Sequence, residues 1–182
     1  QYTETQKYGV KVIADNNVVI IRGYGGTGKS STVAGLLSCL GEDYYFHQCA
    51  LSGKASVNLT DITGQDGKTI HRLLKYKPGE GFTINEKNRL RTNMVILDEG
   101  SMVDIELASH LFEAIPTGAK LVILGDTNQL EAIGAGNLLL DMIDSGFIPV
   151  VTFNEIHRQG AKSGIIPFSI EIANGRCKYK QT

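Results

Sequence analysis

The chain has 182 residues, of which 42% are hydrophobic, and its formal net charge is −1. This length and hydrophobic content suit one well-packed domain over residues 1–182, and a second domain is not expected. Because positive and negative charges nearly balance, the chain has no overall positive field that would indicate a nucleic-acid partner. Any binding of a polyanion must therefore come from a local surface. No apolar run approaches the roughly 20 residues that span a bilayer, and no charged-then-apolar leader is present. We therefore expect a cytoplasmic protein without a membrane partner.

The three cysteines, Cys39, Cys49 and Cys177, are widely spaced and form no C-x-x-C pair. An odd number with this spacing argues against a disulfide framework and against a zinc site. We expect reduced thiols.

The first predicted element is a short helix over Thr3–Asp15, where apolar side chains recur at helical spacing. Gln6 lies on this helix, and the ordinary interpretation of such a residue is an exposed polar side chain.

A glycine-rich turn follows a short β-branched strand and opens into a helical pattern within Val18–Leu37. The segment GYGGTGKS at 23–30 matches the P-loop pattern G-x4-G-K-S/T, in which backbone amides and a lysine hold phosphates and a hydroxyl binds Mg²⁺. The alternative is a chance glycine turn before a buried helix, but strand, loop and helix patterns occur in the order that a P-loop requires. The candidate nucleotide-binding residues of the loop are Gly23, Gly25, Gly26, Thr27, Gly28, Lys29, Ser30 and Ser31.

A second strand is predicted over Tyr44–Leu51, and Ser52-Gly53-Lys54-Ala55 then opens another helix. The amides and Lys54 of this loop suit a phosphate contact, and a plain solvated helix start is equally compatible with them. Farther on, Lys68–Lys77 predicts a short helix that turns His71 and Arg72 outward, and 75–93 is polar and irregular.

A continuous apolar run over Met94–Asp98 predicts a fully buried strand that ends in Asp98 and Glu99. In a chain with a P-loop this pair is similar to a Walker B motif, where Asp98 holds Mg²⁺ and Glu99 polarises the attacking water. The alternative is a pair of solvated acids at the start of a turn. An amphipathic helix is predicted to follow over Asp104–Ile115.

A fourth strand, Lys120–Gly125, leads into Asp126-Thr127-Asn128-Gln129, which suits either a γ-phosphate sensor or a capped polar turn. The last predicted elements are a helix over Asn137–Ser145, a fifth strand over Pro149–Phe153 and a helix over Ser163–Asn174. This alternation predicts a three-layer α/β domain, with a mostly parallel sheet covered by helices on both faces and ligands at the carboxyl ends of the strands.

Six ordered motifs together resemble the first motor domain of superfamily 1 DNA helicases of the RecD-like group (exonuclease V alpha subunit-like). They are GYGGTGKS at 23–30, ALSGKAS at 50–56, TIHRLL at 69–74, LDEGSMVD at 97–104, GDTNQLEAIGAGNLL at 125–139 and IHRQ at 156–159. The resemblance implies a RecA-like P-loop NTPase domain that uses ATP and Mg²⁺ to move on single-stranded DNA, 5′ to 3′. It also implies a second RecA-like domain, which is missing from this chain, so that the isolated chain would be weakly active.

Carried over to this sequence, the resemblance gives several side chains a role. Gln6 would recognise adenine, Gln129 would link the γ-phosphate to the DNA groove, and Arg158 would place a positive charge on the transferring phosphoryl group. His157 stands where the family usually has a carbocyclic aromatic side chain next to the nucleotide. The implied DNA contacts are Ser52, Lys54, Thr69 and His71.

The chain departs from the family pattern at Gly100, where alanine is usual, and at Glu131-Ala132, where two prolines are usual. Two other functions stay open at this stage. One is a nucleotide-gated module that binds single strands without useful turnover, and the other is a P-loop kinase, although no arginine-rich lid follows the P-loop. Phosphate release stimulated by single strands would distinguish a motor from a binding module.

Overall fold

A computed structural model of the protein describes residues 2–40, 44–126 and 136–153. In these ranges strands and helices alternate along most of the chain, as the sequence predicts. The elements in chain order are α1 (Glu4–Asp15), β1 (Val18–Gly23), α2 (Lys29–Ser38), β2 (Phe46–Ala50), α3 (Gly53–Thr63), β3 (Gly67–Thr69), α4 (Ile70–Leu73), β4 (Tyr76–Lys77), β5 (Gly81–Phe82), β6 (Met94–Asp98), α5 (Ile105–Ala114), β7 (Lys120–Gly125), α6 (Leu138–Asp144) and β8 (Val150–Phe153).

The main sheet has six strands in the order β3-β2-β6-β7-β1-β8, and every neighbouring pair is parallel. The register pairs Ala50 with both Thr69 and Asp98, and Arg22 with Gly125. Because all the strands run the same way, their carboxyl ends meet at one edge of the sheet.

Apolar side chains fill both faces of the sheet. In β7, Leu121 and Ile123 pack on one face with α4, α5 and α6, while Val122 and Leu124 pack on the other with α1 and α2. Alternation along each strand thus buries two separate apolar clusters, one on each side. The predicted three-layer architecture is confirmed.

Several helices begin where the sequence supplies a capping side chain. Thr3 and Gln6 form a capping box at the start of α1, and Asp104 and Asn137 accept backbone N–H groups at the starts of α5 and α6. Such caps satisfy amide groups that the first helical turn leaves unpaired.

The prediction of one helix over Lys68–Lys77 is wrong at both ends. Lys68 and Thr69 belong to β3, a sixth strand that the sequence did not reveal, and the helix is only Ile70–Leu73. Tyr76–Lys77 pairs instead with Gly81–Phe82 in a two-stranded antiparallel ribbon, which occupies part of the segment predicted to be irregular. Pairing with the edge of β2 decided the conformation of β3, and such long-range pairing leaves little local signal in three residues.

The helix predicted over 163–174 lies outside the described residues. Among the cysteines that the structure describes, Cys39 is exposed and Cys49 is buried, and both are free thiols. None of the helices in the described ranges has the length and apolar character needed to cross a membrane.

Candidate functional site

A cavity of about 290 Å³ lies at the carboxyl edge of the sheet, between the loop after β1, the end of β6 and helix α3. It brings together nine of the predicted functional side chains or glycines with two residues from α3. The lining residues are Gln6, Gly25, Gly26, Gly28, Lys29, Ser30, Ser31, Asn58, Ile62, Asp98 and Glu99.

The loop between β1 and α2 has the backbone that the glycine pattern predicts. Gly26 and Gly28 have φ values of 82° and 92°, in the left-handed region where a Cβ atom would be strained. Behind them the Thr27 hydroxyl, which is fully buried, donates to the Tyr24 carbonyl at 2.8 Å. Thr27 therefore shapes the loop from behind and does not line the cavity.

Gly23 also lies behind the cavity, at the end of β1. A Cβ atom added there would come within 2.5 Å of the Phe153 carbonyl oxygen in β8. Glycine at this position allows β1 and β8 to approach each other, which is a packing role. Its own carbonyl accepts a hydrogen bond from Lys29.

The ammonium group of Lys29 is held by the loop itself. Its Nζ atom donates to the carbonyl oxygens of Gly23 at 2.6 Å and Tyr24 at 3.0 Å. The positive charge thereby stays at the rim of the glycine turn, where the amino end of α2 also favours an anion.

Gln6 is not the exposed helix residue that its sequence context first suggests. Its side chain is buried, with Oε1 accepting from the Thr3 amide at 2.9 Å and Nε2 lying 3.5 Å from the Gly28 carbonyl. The capping box holds the side chain, and the packing of α1 against α2 brings it to the P-loop. A single glutamine does not reveal that packing.

The two acids at the end of β6 differ in environment. Asp98 is buried, and its Oδ1 accepts the Glu99 amide at 2.8 Å. Burial raises the pKa of Asp98, and the Glu99 amide and the charge of Lys29 oppose that rise. Burial raises the pKa of Glu99 as well, and the charge of the neighbouring Asp98 raises it further. A hydrogen bond from Ser52 and the charge of Lys54 oppose this rise.

Glu99 has a strained backbone, with φ 55° and ψ 35°. A left-handed conformation is uncommon for a side chain other than glycine, asparagine or aspartate and typically costs about 1–3 kcal/mol. With this backbone conformation, the Glu99 carboxylate lies in the cavity, 3.4 Å from the hydroxyl of Ser52.

The candidate DNA contacts lie along the same edge of the sheet. Ser52 and Thr69 cap α3 and α4 and accept backbone N–H groups at 3.1 and 3.2 Å. Lys54 is exposed in the first turn of α3. His71 is exposed as predicted, and its ring lies edge-on to Tyr76 at a centroid distance of 5.5 Å.

Sequence reasoning missed Asp126 as part of the P-loop environment. This buried carboxylate accepts the Gly25 amide at 3.1 Å and so connects the end of β7 to the glycine turn. The only signal was an acid directly after a strand, and its meaning depends on β7 being the neighbour of β1. Gln129, His157 and Arg158 lie outside the described residues.

A family model described as an AAA domain matches residues 1–181. The chain belongs to this family. Among curated relatives, the ATP-dependent RecD2 DNA helicase of Deinococcus radiodurans is 35% identical over 176 residues, which are 95% of this chain and 24% of that protein. The RecBCD enzyme subunit RecD of Mycobacterium tuberculosis is 30% identical and is matched over 94% of this chain and 35% of its own length. The chain thus spans about a quarter to a third of these two relatives, and the RecD-like resemblance is confirmed.

Solved structures of Pif1 helicases have the same fold. The Candida albicans Pif1 structure matches 95% of this chain and 44% of its own chain, with a TM-score of 0.71 and 24% identity. The Bacteroides Pif1 structure with bound single-stranded DNA matches 97% of this chain and 47% of its own, with a TM-score of 0.66 and 21% identity. These matches confirm the predicted RecA-like fold.

The structure explains why glycine suits position 100, one of the positions where the sequence departs from the pattern of the family it resembles. A Cβ atom there would lie 2.5 Å from a γ-methyl of Ile123, which fills the space. We expect Gly100→Ala to lower the free energy of unfolding by about 1–3 kcal/mol, because overpacking forces neighbours to shift. Urea unfolding is the measurement.

The matched control is Gly53→Ala, because a Cβ atom at Gly53 has no neighbour within 4 Å. Combining Gly100→Ala with Ile123→Leu removes the β-branch methyl and should reduce the penalty. If Gly100→Ala costs the same in both backgrounds, Ile123 is not the cause.

Proposed function

We propose that residues 1–182 form the ATP-binding motor domain of a DNA helicase, which couples hydrolysis of Mg-ATP to movement on single-stranded DNA from 5′ to 3′. The observation that carries this proposal is the contact between Ser52 and Glu99, at 3.4 Å. This contact joins Ser52, which follows β2 and belongs to the implied DNA contacts, to Glu99, which follows β6 beside the P-loop. The membership of the family and the RecD-type relatives support the same function.

The P-loop binds the phosphates of ATP. Amides around Gly26 and Gly28 face the cavity together with Lys29, whose ammonium exchanges loop carbonyls for phosphate oxygens. Gln6 lies at the side of the cavity formed by α1, where an amide can donate to and accept from an adenine edge.

The donor set suits Mg²⁺. This ion usually takes one or two carboxylates, a hydroxyl, phosphate oxygens and water. Ser30 and the buried Asp98 line the same cavity, and the described residues contain no group of three or more His, Cys, Asp or Glu that could hold a metal alone. Ser30 and Asp98 would hold the ion, which supplies charge neutralisation at the phosphates.

Glu99 acts as the general base for water. It lies in the cavity beside Asp98, and its raised pKa and strained backbone are typical of an active-site acid. Gln129 and Arg158 complete the proposed catalytic set, with Arg158 stabilising negative charge on the phosphoryl group and His157 beside the nucleotide.

Ser52, Lys54, Thr69 and His71 contact the DNA strand. The Ser52 hydroxyl can donate one hydrogen bond, and it donates that bond to Glu99. A DNA phosphate that accepts the hydrogen bond instead removes a donor from Glu99, so strand binding and the catalytic acid are coupled through one hydroxyl.

In the complete motor, a second RecA-like domain closes the nucleotide cleft. The complete motor would be located in the cytoplasm. On its own the chain binds Mg-ATP but hydrolyses it slowly, because an arginine placed by a closed cleft is worth about 10³–10⁵ in rate. The test is steady-state phosphate release with and without single-stranded DNA. Robust DNA-stimulated turnover by the 182-residue chain would contradict the need for a partner domain, and nucleotide binding without any turnover would favour the binding-module alternative.

Lys29→Ala should abolish tight Mg-ATP binding while the fold survives, because it removes the positive charge at the glycine turn. Calorimetry measures the affinity, and circular dichroism checks the fold. Lys11→Ala, an exposed lysine on α1, is the control. Unchanged affinity in folded Lys29→Ala would refute the phosphate-binding role.

Glu99→Gln should keep nucleotide binding but slow hydrolysis by about 10²–10⁴-fold, the usual contribution of a general base. A single-turnover measurement with the chain in excess over ATP detects slow rates. Glu113→Gln, on the exposed side of α5, makes the same chemical change away from the cavity. Hydrolysis at the wild-type rate would remove Glu99 from the role of base.

Lys54→Ala and His71→Ala should each weaken binding of single-stranded DNA to a similar degree for different sequences, because phosphate contacts position a strand without reading bases. Titration of two oligonucleotides of unlike sequence is the measurement, with Lys7→Ala as a surface control. Curves that overlay the wild type would place the strand elsewhere.

A further inference from the structure

A second concave surface lies away from the nucleotide cavity, on the α4 side of the sheet. This basic cavity has a volume of about 480 Å³, and its cationic lining residues are Lys68, Arg72, Lys75, Arg89 and Arg91. Its walls come from β3, from α4 with the turn after it, and from the segment that leads into β6. The lining residues include no aspartate or glutamate within the described part of the chain.

The chain concentrates positive charge in this region although its net charge is −1. Seven of its 18 lysine and arginine residues lie between Lys68 and Arg91, where the acidic residues are Glu80 and Glu86. A local excess of this kind attracts polyanions even when the whole domain is nearly neutral.

Most of these cations are not neutralised by the protein. In the described ranges, Arg72, Lys75 and Arg91 make no ion pair, and Lys68 pairs only with the exposed Asp66. Arg89 is held in place by the Glu86 carbonyl at 3.2 Å and the Thr117 hydroxyl at 3.1 Å, neither of which carries charge. The cavity therefore presents several uncompensated charges, and one guanidinium is oriented.

The backbone at the rim of the cavity is strained. Lys75 has φ 52°, a left-handed conformation in which glycine or asparagine would be easier to accommodate. Its carbonyl accepts the Thr83 hydroxyl at 3.1 Å, which helps to hold this conformation. Strain retained at a lysine on the edge of a charged cavity fits a binding role for that side chain.

The neighbouring surface indicates which polyanion fits. Arg72 and Lys75 each adjoin, in sequence, a ring of the cluster formed by His71, Tyr76 and Phe82, with centroid distances of 5.0–5.7 Å. Nearly half of Tyr76 is exposed. Rings that accept stacked bases beside cations that accept phosphates match a nucleic-acid strand better than an acidic peptide, which has no bases to stack.

We propose that the basic cavity binds the phosphodiester backbone of a single-stranded nucleic-acid segment, as an anchoring site separate from the nucleotide cavity and continuous with Thr69 and His71. This inference rests on the proposed function, because it assumes a nucleic-acid partner.

The test is fluorescence anisotropy of a labelled oligothymidylate of about 20 nucleotides, longer than the site of one small binding domain, titrated with the 182-residue chain at several salt concentrations. The variant is Arg72→Gln with Lys75→Asn, because asparagine tolerates a left-handed backbone. The control is Lys7→Gln with Lys11→Gln, which removes the same charge from exposed positions of α1.

The cavity variant should bind at least about tenfold more weakly at about 50 mM salt, and its slope of log affinity against log salt should be shallower by about 1.4, or about 0.7 for each lost phosphate contact. The control should retain the wild-type slope. Thermal unfolding checks that each variant is folded. If the double variant does not fold, the single substitution of the exposed Arg91, Arg91→Gln, replaces it, with an expected slope change of about 0.7.

The outcomes separate this inference from the function it rests on. If Lys54→Ala weakens binding but the cavity variants match the control in affinity and slope, the basic cavity is not a strand site and the proposed function stands. If the wild-type chain does not bind the oligonucleotide at any salt concentration, the proposed function and this inference both fail.

Discussion

The parallel register of β1, β6 and β7 is the constraint on which the candidate nucleotide site depends. Pairing of Arg22 with Gly125, and of Leu97 with Ile123, places the P-loop, Asp98 and Asp126 at the same height on one edge. A slip of one residue would turn each side chain to the opposite face and disrupt both apolar clusters. The packing of Leu121–Leu124 on alternate faces therefore fixes the relative positions of the P-loop, Asp98 and Asp126 as well as the fold.

The glycine turn is held from several sides. Gln6 approaches it from α1, Asp126 accepts its Gly25 amide from β7, and Thr27 bonds to the Tyr24 carbonyl within it. Buried polar groups of a loop need hydrogen-bond partners, and this loop finds only some of them in its own backbone. Gln6 and Asp126 belong to elements distant in sequence, so the loop depends partly on tertiary packing.

Local patterns predicted most of the fold and the central part of the site. Met94–Asp98 and Lys120–Gly125 each contain a continuous apolar run, and their strand bounds are confirmed without change. The sequence failed where long-range contacts decide: β3 is a strand because β2 pairs with it, and Gln6 is buried because α1 packs on α2. Asp126 was missed for the same reason, because no single segment of the sequence reveals the order of the strands in the sheet.

The distribution of charge over the fold is another property that the sequence alone did not predict. A net charge of −1 excludes a global positive field, and it says nothing about how the charges are distributed. The fold brings β3, the turn after α4 and the segment before β6 together, so that cations as far apart in sequence as Lys68 and Arg91 share one cavity. None of the acidic residues that the structure describes lines this cavity, although Asp66 pairs with Lys68. Asp104 and Glu106 lie beside the rings of Tyr76 and Phe82. Phosphates would be repelled from those acids and attracted to the basic cavity, so this distribution of charge favours phosphate contacts at the basic cavity.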